Sequence, residues 1–108
     1  LLESAVYLSL KHAGYQVYVG TIKDIEVDFV AIKGDKKLYL QVTLQLAEEQ
    51  TFEREYRSLK LIDDNFNKYV VSMDDYKIPT NEGIEHISAW NLEEALADDH
   101  HLKIGNYV

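Results

Sequence analysis

The sequence predicts an α/β domain: one mixed β-sheet with helices packed on its faces. Three observations predict it. An opening helical pattern leads into three strand patterns with short connections, which favours an antiparallel meander. A charged, helix-forming stretch then separates the third strand from a fourth, and its length suits a right-handed crossover that returns the chain parallel to the third. Residues 36–45 alternate apolar and polar side chains cleanly, the period of a strand.

Each element has a local reason. In LLESAVYLSLKHAG (1–14), Leu2, Val6 and Leu10 form one helical stripe with Tyr7 and Ala13 beside it, and Gly14 is a natural stop. YQVYVG (15–20) sets Tyr15, Val17 and Val19 against Gln16 and Tyr18, and Gly20 is expected to end it. Residues 25–33 read as a strand, Gly34-Asp35 as a turn and 36–45 as the next strand. Residues 48–61 form the charged helix, with Thr51 a cap near its start. KYVVSM (68–73) is a short apolar strand, 74–83 a polar loop holding Pro79, and 84–89 another strand. Asn91-Leu92-Glu93-Glu94 reads as a capping box opening a last short helix. No repeat, low-complexity segment or interdomain linker interrupts this order. The expectation is one domain over residues 1–97 and a tail over 98–108.

Composition narrows the function classes. The chain has 108 residues and no cysteine, which excludes a disulfide framework, a thiolate metal site and a cysteine nucleophile. That suits a cytoplasmic protein. No apolar run approaches the ~18 residues of a membrane helix, so no membrane partner is expected. A net charge of −8 opposes general adsorption to DNA, RNA or an anionic membrane, so a nucleic-acid role needs a local basic patch. The chain opens on Leu1-Leu2-Glu3, without an initiator Met and already helical in pattern. It is expected to be a piece of a longer polypeptide whose remainder lies upstream.

The residues that carry chemistry sit in IEVDFV (25–30) and LYLQVT (38–43). Each strand places one polar residue, Asp28 or Gln41, between apolar neighbours. Strict alternation puts Ile25, Val27 and Phe29 on one face and Glu26, Asp28 and Val30 on the other. In the next strand Leu38, Leu40, Val42 and Leu44 oppose Tyr39, Gln41, Thr43 and Gln45. A turn centred on Gly34-Asp35 sets Asp28 opposite Gln41, Val27 opposite Val42 and Glu26 opposite Thr43, because a one-residue slip would flip every side chain. Asp28 and Gln41 are then direct cross-strand neighbours, with Cβ atoms about 5 Å apart. Glu3, one turn before Val6 and Tyr7, completes an oxygen-rich cluster if it points toward the sheet. Two carboxylates and an amide oxygen suit a hard cation such as Mg²⁺. The plainer reading is a polar sheet pair plus a carboxylate favoured by the first turn of a helix.

This order of residues resembles the PD-(D/E)XK nuclease superfamily, the restriction-endonuclease-like fold. Its core of helix, three-strand antiparallel meander, helix and parallel strand resembles residues 1–73. Its motif is a helix Glu, an Asp on the second strand, and Glu or Gln, any residue, then Lys on the third. Glu3, Asp28 and Gln41 match the first three members. Closer still is the resemblance to a domain at the C-terminus of prokaryotic AAA+-type ATPases. There, stretches similar to LLESAVYLSLKHAGYQVYVG, IEVDFVA, LYLQVT, TFEREYRSLKLIDDNFNKYVVSMDD and GIEHISAWNLEEAL occur in this order, over roughly residues 1–97. The resemblance implies catalytic and metal positions at Glu3, Asp28 and Gln41, an ATPase domain upstream in the same chain as partner, and nucleic acid as substrate. Thr43 departs from the motif, because the superfamily's lysine would stand there. A hydroxyl replaces the charge that orients water and stabilises developing negative charge. Gln41 also replaces a carboxylate with a neutral amide, which leaves Mg²⁺ only a low-affinity site. The expectation is a nuclease-like accessory domain, weakly active or inactive. The alternative is an active Mg-dependent phosphodiesterase with the basic residue relocated to the following helix, where Arg54, Arg57 and Lys60 are candidates.

Arg54, Arg57 and Lys60 recur at steps of three and could contact phosphate. The plainer reading is a solvated face with Glu53 and Glu55 as intrahelical partners. His100-His101 beside Asp98-Asp99 lacks a third ligand at helical spacing and reads as an exposed tail. His12 and His86 are given no role. The sequence shows no P-loop, Gly-rich dinucleotide loop or Ser-His-Asp arrangement. ATP binding, if the protein has it, is expected in the upstream part.

Overall fold

A computed structural model describes residues 1–46, 49–75 and 83–97. The elements follow the predicted order: α1 Leu2–His12, β1 Gln16–Ile22, β2 Ile25–Lys33, β3 Lys36–Val42, α2 Glu49–Lys60, β4 Asn67–Ser72 and β5 Ile84–Ser88. A 3₁₀ turn, Ala89–Asn91, then enters a helix over residues 92–97, α3. The expected tail over 98–108 lies outside the described residues. The sheet runs β1-β2-β3-β4-β5. Its first two pairings are antiparallel and its last two parallel, so the sheet is mixed and β3 joins the two halves.

Helices cover both faces. On one, Val6 and Leu10 of α1 and Leu92 and Leu96 of α3 pack against Phe29, Leu40, Val42 and Val71. On the other, Tyr56 and Leu59 of α2 pack against Tyr39, Val70 and Ile84, with Val27, Leu46 and Ile62. Central strands buried on both faces read as near-continuous apolar runs, which explains Leu38–Val42 and Tyr69–Val71. Among the described residues no helix is long and apolar enough to cross a membrane.

α1 ends as its sequence predicts. The N–H of Tyr15 donates to the Leu10 carbonyl and that of Gly14 to Lys11, both at 3.0 Å, while Gly14 takes φ +94°. These paired bonds form a Schellman cap, whose left-handed residue favours glycine. Lys33 Nζ donates to the Ala13 carbonyl at 2.8 Å, satisfying another carbonyl at the helix end.

Three expectations need correction. Gly20 does not end β1. The strand continues to Ile22 and turns at Lys23-Asp24, both left-handed (φ 50° and 69°), as a two-residue hairpin with the twist of its strands requires. β3 stops at Val42 rather than Gln45, and Leu44, expected on the core face, is exposed. Lastly, Val27 does not share a face with Phe29. Between the pairs Tyr18↔Val30 and Gly20↔Val27, β1 advances two residues and β2 three. The extra residue in β2 is a bulge, and it reverses alternation there. Val27 therefore joins the α2-side core, while Phe29 joins the α1 side.

Two polar networks brace the sheet. Between α2 and β4, buried Lys68 donates to Asp64 Oδ1 at 2.8 Å and to the carbonyls of Asp64 and Phe66 at 3.1 and 2.9 Å. The Tyr39 hydroxyl donates to Asp64 Oδ2 at 2.6 Å. Burial works to raise the Asp64 pKa, but the bonds from Lys68, Tyr39 and the Phe66 N–H outweigh it and hold the carboxyl below its usual range. Burial and the Asp64 bond push Tyr39 up to about 12.

The second network joins Ser72, Asp74, His86 and Ser88 at the ends of β4 and β5. Asp74 Oδ2 accepts from the Leu46 N–H and the Ser72 hydroxyl, both at 2.6 Å, and Ser88 Oγ donates to the Asp74 carbonyl at 2.6 Å. His86 Nε2 lies 2.6 Å from Ser72 Oγ. A carboxylate only accepts, so the Ser72 proton points to Asp74 and His86 Nε2 carries the proton it shares with Ser72. The fold thus gathers a serine, a histidine and an aspartate that the sequence did not show as a set. Ser72, Asp74 and His86 are all buried among the described residues, so the cluster works as a brace. His86, given no role from sequence, is one of its members.

Candidate functional site

The site lies where β2 and β3 part. Their ladder runs from Lys33↔Lys36 to Phe29↔Leu40. The next pair in the same register is Asp28 and Gln41, as the turn at Gly34-Asp35 predicted, but here side chains replace the backbone ladder. Asp28 N–H donates to Gln41 Oε1 at 2.8 Å, and Gln41 Nε2 donates to the Glu26 carbonyl at 3.1 Å. In return Val42 N–H donates to Asp28 Oδ2 at 2.8 Å. The primary amide of Gln41 thus acts as an extra peptide group that keeps β2 in touch with β3 beyond the last backbone pair. Past this fork β3 stays beside β4, since Thr43 N–H donates to the Val71 carbonyl at 3.0 Å.

The bulge and the fork fall at the same place. The extra residue at Asp28-Phe29 bends β2 where its ladder with β3 ends, while its ladder with β1 resumes at Gly20↔Val27. The opening is bridged by the two polar side chains, which is why a buried glutamine and a half-buried aspartate stand between apolar neighbours in these strands.

The electrostatics are acidic. Burial raises the Asp28 pKa most; the Val42 N–H opposes it, and the charges of Glu3 and Glu26 add to the rise. Burial also raises Glu55 on α2, followed by the charge of Asp28, with Arg54 opposing. Glu55 does bond Arg54, as the sequence reading of a partner for neighbouring bases expected, and its half-buried carboxyl also feels the charge of Asp28, a link that reading missed. Its signal was available: Glu55 stands four residues before buried Leu59 and beside buried Tyr56, on the inward side of α2.

The other sequence candidates fall as follows. Glu3 is exposed in the first turn of α1 and is sensed by Asp28 through its charge. Thr43 is half-buried just beyond the end of β3. Arg54 is largely exposed and bonds its neighbour Glu55, with Nη2 at 3.3 Å from Oε1. Arg57 and Lys60 are exposed on α2. Among the described residues no three His, Asp or Glu side chains are arranged to hold a metal ion. The histidine pair 100–101 lies outside them.

No family model matches the chain. It is 35% identical over 94 residues, 85% of its length, to an uncharacterized protein of Haemophilus influenzae, and the match covers 23% of that relative. The chain therefore spans about a quarter of the length of the relative it matches.

Proposed function

We propose that this chain is a nuclease-like accessory domain of a longer AAA+-type ATPase, of restriction-endonuclease-like fold, working in the cytoplasm with weak or absent cleavage activity. The observation that carries the inactive half is the use made of Gln41. Both polar atoms of its amide are committed to the β2 backbone, one accepting and one donating. An amide so engaged is poorly placed to serve a cation, and Asp28 Oδ2 already holds the Val42 N–H. Thr43 brings no positive charge, and the guanidinium of Arg54 is turned to Glu55. Mg²⁺ would find Asp28, with Glu3, Glu26 and Glu55 linked to it through their charges, and bind at low affinity.

The nuclease kinship rests on the ordered set Glu3, Asp28 and Gln41 on α1, β2 and β3, and on the side-by-side placement of the last two. The ATPase partner rests on resemblance, and the fourfold longer relative leaves room for such a domain.

The test is a cleavage assay on the full-length protein with single- and double-stranded DNA and RNA, across a Mg²⁺ and Mn²⁺ titration. The wild type is expected to cleave little or nothing. Joint Gln41→Glu and Thr43→Lys exchange is expected to produce metal-dependent cleavage. Wild-type cleavage abolished by Asp28→Ala would instead support the active phosphodiesterase, its cation supplied from Arg54, Arg57 or Lys60.

A further inference from the structure

Among the described residues β1 forms one edge of the sheet, with β2 as its neighbour there. An exposed edge strand offers unpaired N–H and C=O groups, and proteins usually blunt it with charge, proline or brevity. β5, at the opposite edge, is blunted: it has five residues and presents Glu85 to solvent. β1 is not. Its seven residues, QVYVGTI, contain no charge and no proline, in a chain of net charge −8. Val19 is 76% exposed and Tyr18 51%. The bulge lies in β2, so β1 keeps its own alternation, with Tyr18 and Gly20 on the α2 side of the sheet and Val17 and Val19 on the α1 side.

We propose that β1 is a self-association edge, pairing antiparallel with β1 of a second copy about a two-fold axis at Val19. The strand fits its own copy. In that register Tyr18 stands opposite Gly20 of the partner on one face, and the two Val19 side chains meet on the other. A side chain added at Gly20 would meet nothing within 4 Å, so there is open space for a ring, and its φ of +149° reserves the position for glycine. An aromatic laid over a cross-strand glycine is a known way to stabilise such a pair. Two copies of an acidic chain repel, and an uncharged strand is where they can meet with least repulsion. The result is a continuous ten-stranded sheet across the dimer.

The chain has no cysteine, which allows a direct test. Val19→Cys should form a disulfide-linked dimer on mild oxidation, far faster than Leu8→Cys, a control at another exposed apolar position on α1. Equal rates would overturn the register. Sedimentation over a wide concentration range should show a monomer–dimer equilibrium for the wild type. Val19→Lys puts like charges together at the axis and should raise the dissociation constant about tenfold or more. Leu8→Lys should leave it unchanged. Both sites are exposed, so each variant should keep the wild-type circular dichroism spectrum and melting profile. A wild type that stays monomeric throughout, or a dimer indifferent to Val19→Lys, would overturn the proposal.

Discussion

Gln41 Oε1 sits 2.8 Å from the backbone nitrogen of Asp28, at the step where the β2–β3 ladder stops. One side chain thereby replaces the missing rung, and with the return bond from Val42 N–H to Asp28 Oδ2 it fixes the width of the fork.

Gln41→Leu should therefore cost more than a polar-to-apolar exchange in a core normally does. It fills the space but leaves the Asp28 N–H and the Glu26 carbonyl without their partners, at about 1–3 kcal/mol for unsatisfied groups. Gln41→Glu keeps the acceptor, loses the donor to Glu26 and adds a charge beside Asp28. Its deficit should shrink at acid pH, where the new carboxyl is neutral. Urea unfolding at neutral and acid pH measures both, and equal deficits for Gln41→Glu at the two pH values would contradict the account.

Asp28 strains the fold at neutral pH. Burial, with Glu3 and Glu26, raises its carboxyl above the ordinary 3.8. The folded chain then holds this proton more tightly than the unfolded one, so the contribution of this group to stability falls as pH rises from about 3.8 through the raised value and stays low above it. Asp28→Asn keeps an acceptor for Val42 N–H and removes the charge. Its stability relative to wild type should increase from pH 3 to pH 7. Glu55, which senses Asp28, should titrate lower in the variant, as carboxyl ¹³C shifts would reveal.

His86 acts in the opposite direction. Burial lowers its pKa below 6.5, partly offset by Asp74. The folded state favours neutral imidazole, so this contribution is complete above 6.5 and declines as pH falls below it, until the folded value is passed. Denaturation midpoints between pH 7.5 and 5 should show the slope. His86→Gln, which retains a donor for Ser72, should flatten it.

Asp64→Ala should destabilise by about 2–3 kcal/mol, because it strands the buried Lys68 ammonium and the Tyr39 hydroxyl. Asp64 titrates below 3.8, so its contribution is present above that value and lost as pH falls through the lower, folded one. The gap between variant and wild type should narrow in strong acid. A gap constant down to the lowest pH would mean that packing, rather than charge, holds Lys68.

Much of the frame was legible along the chain. Hydrophobic period placed α1, β2, β3 and β4, and the turn at Gly34-Asp35 fixed the register that sets Asp28 against Gln41. Glycine was a weaker guide. Gly14 does close its helix, whereas Gly20 lies inside a strand, because a glycine marks backbone freedom and not the use made of it. Alternation misplaced Val27 for a related reason. It assumes one residue per step on both strands, and a bulge breaks that count without leaving a mark in the residue types.

The sequence by itself determined which segments become helix and strand, and which two strands carry the acid and the amide. These follow from periodicity and turn chemistry, which act over a few residues. Only the tertiary structure decided that the strands part at that pair, that Glu55 on α2 feels the charge of Asp28, and that Ser72, Asp74 and His86 join. Each depends on how far neighbouring backbones can approach once both faces of the sheet are covered, and that distance is set by packing across the whole chain.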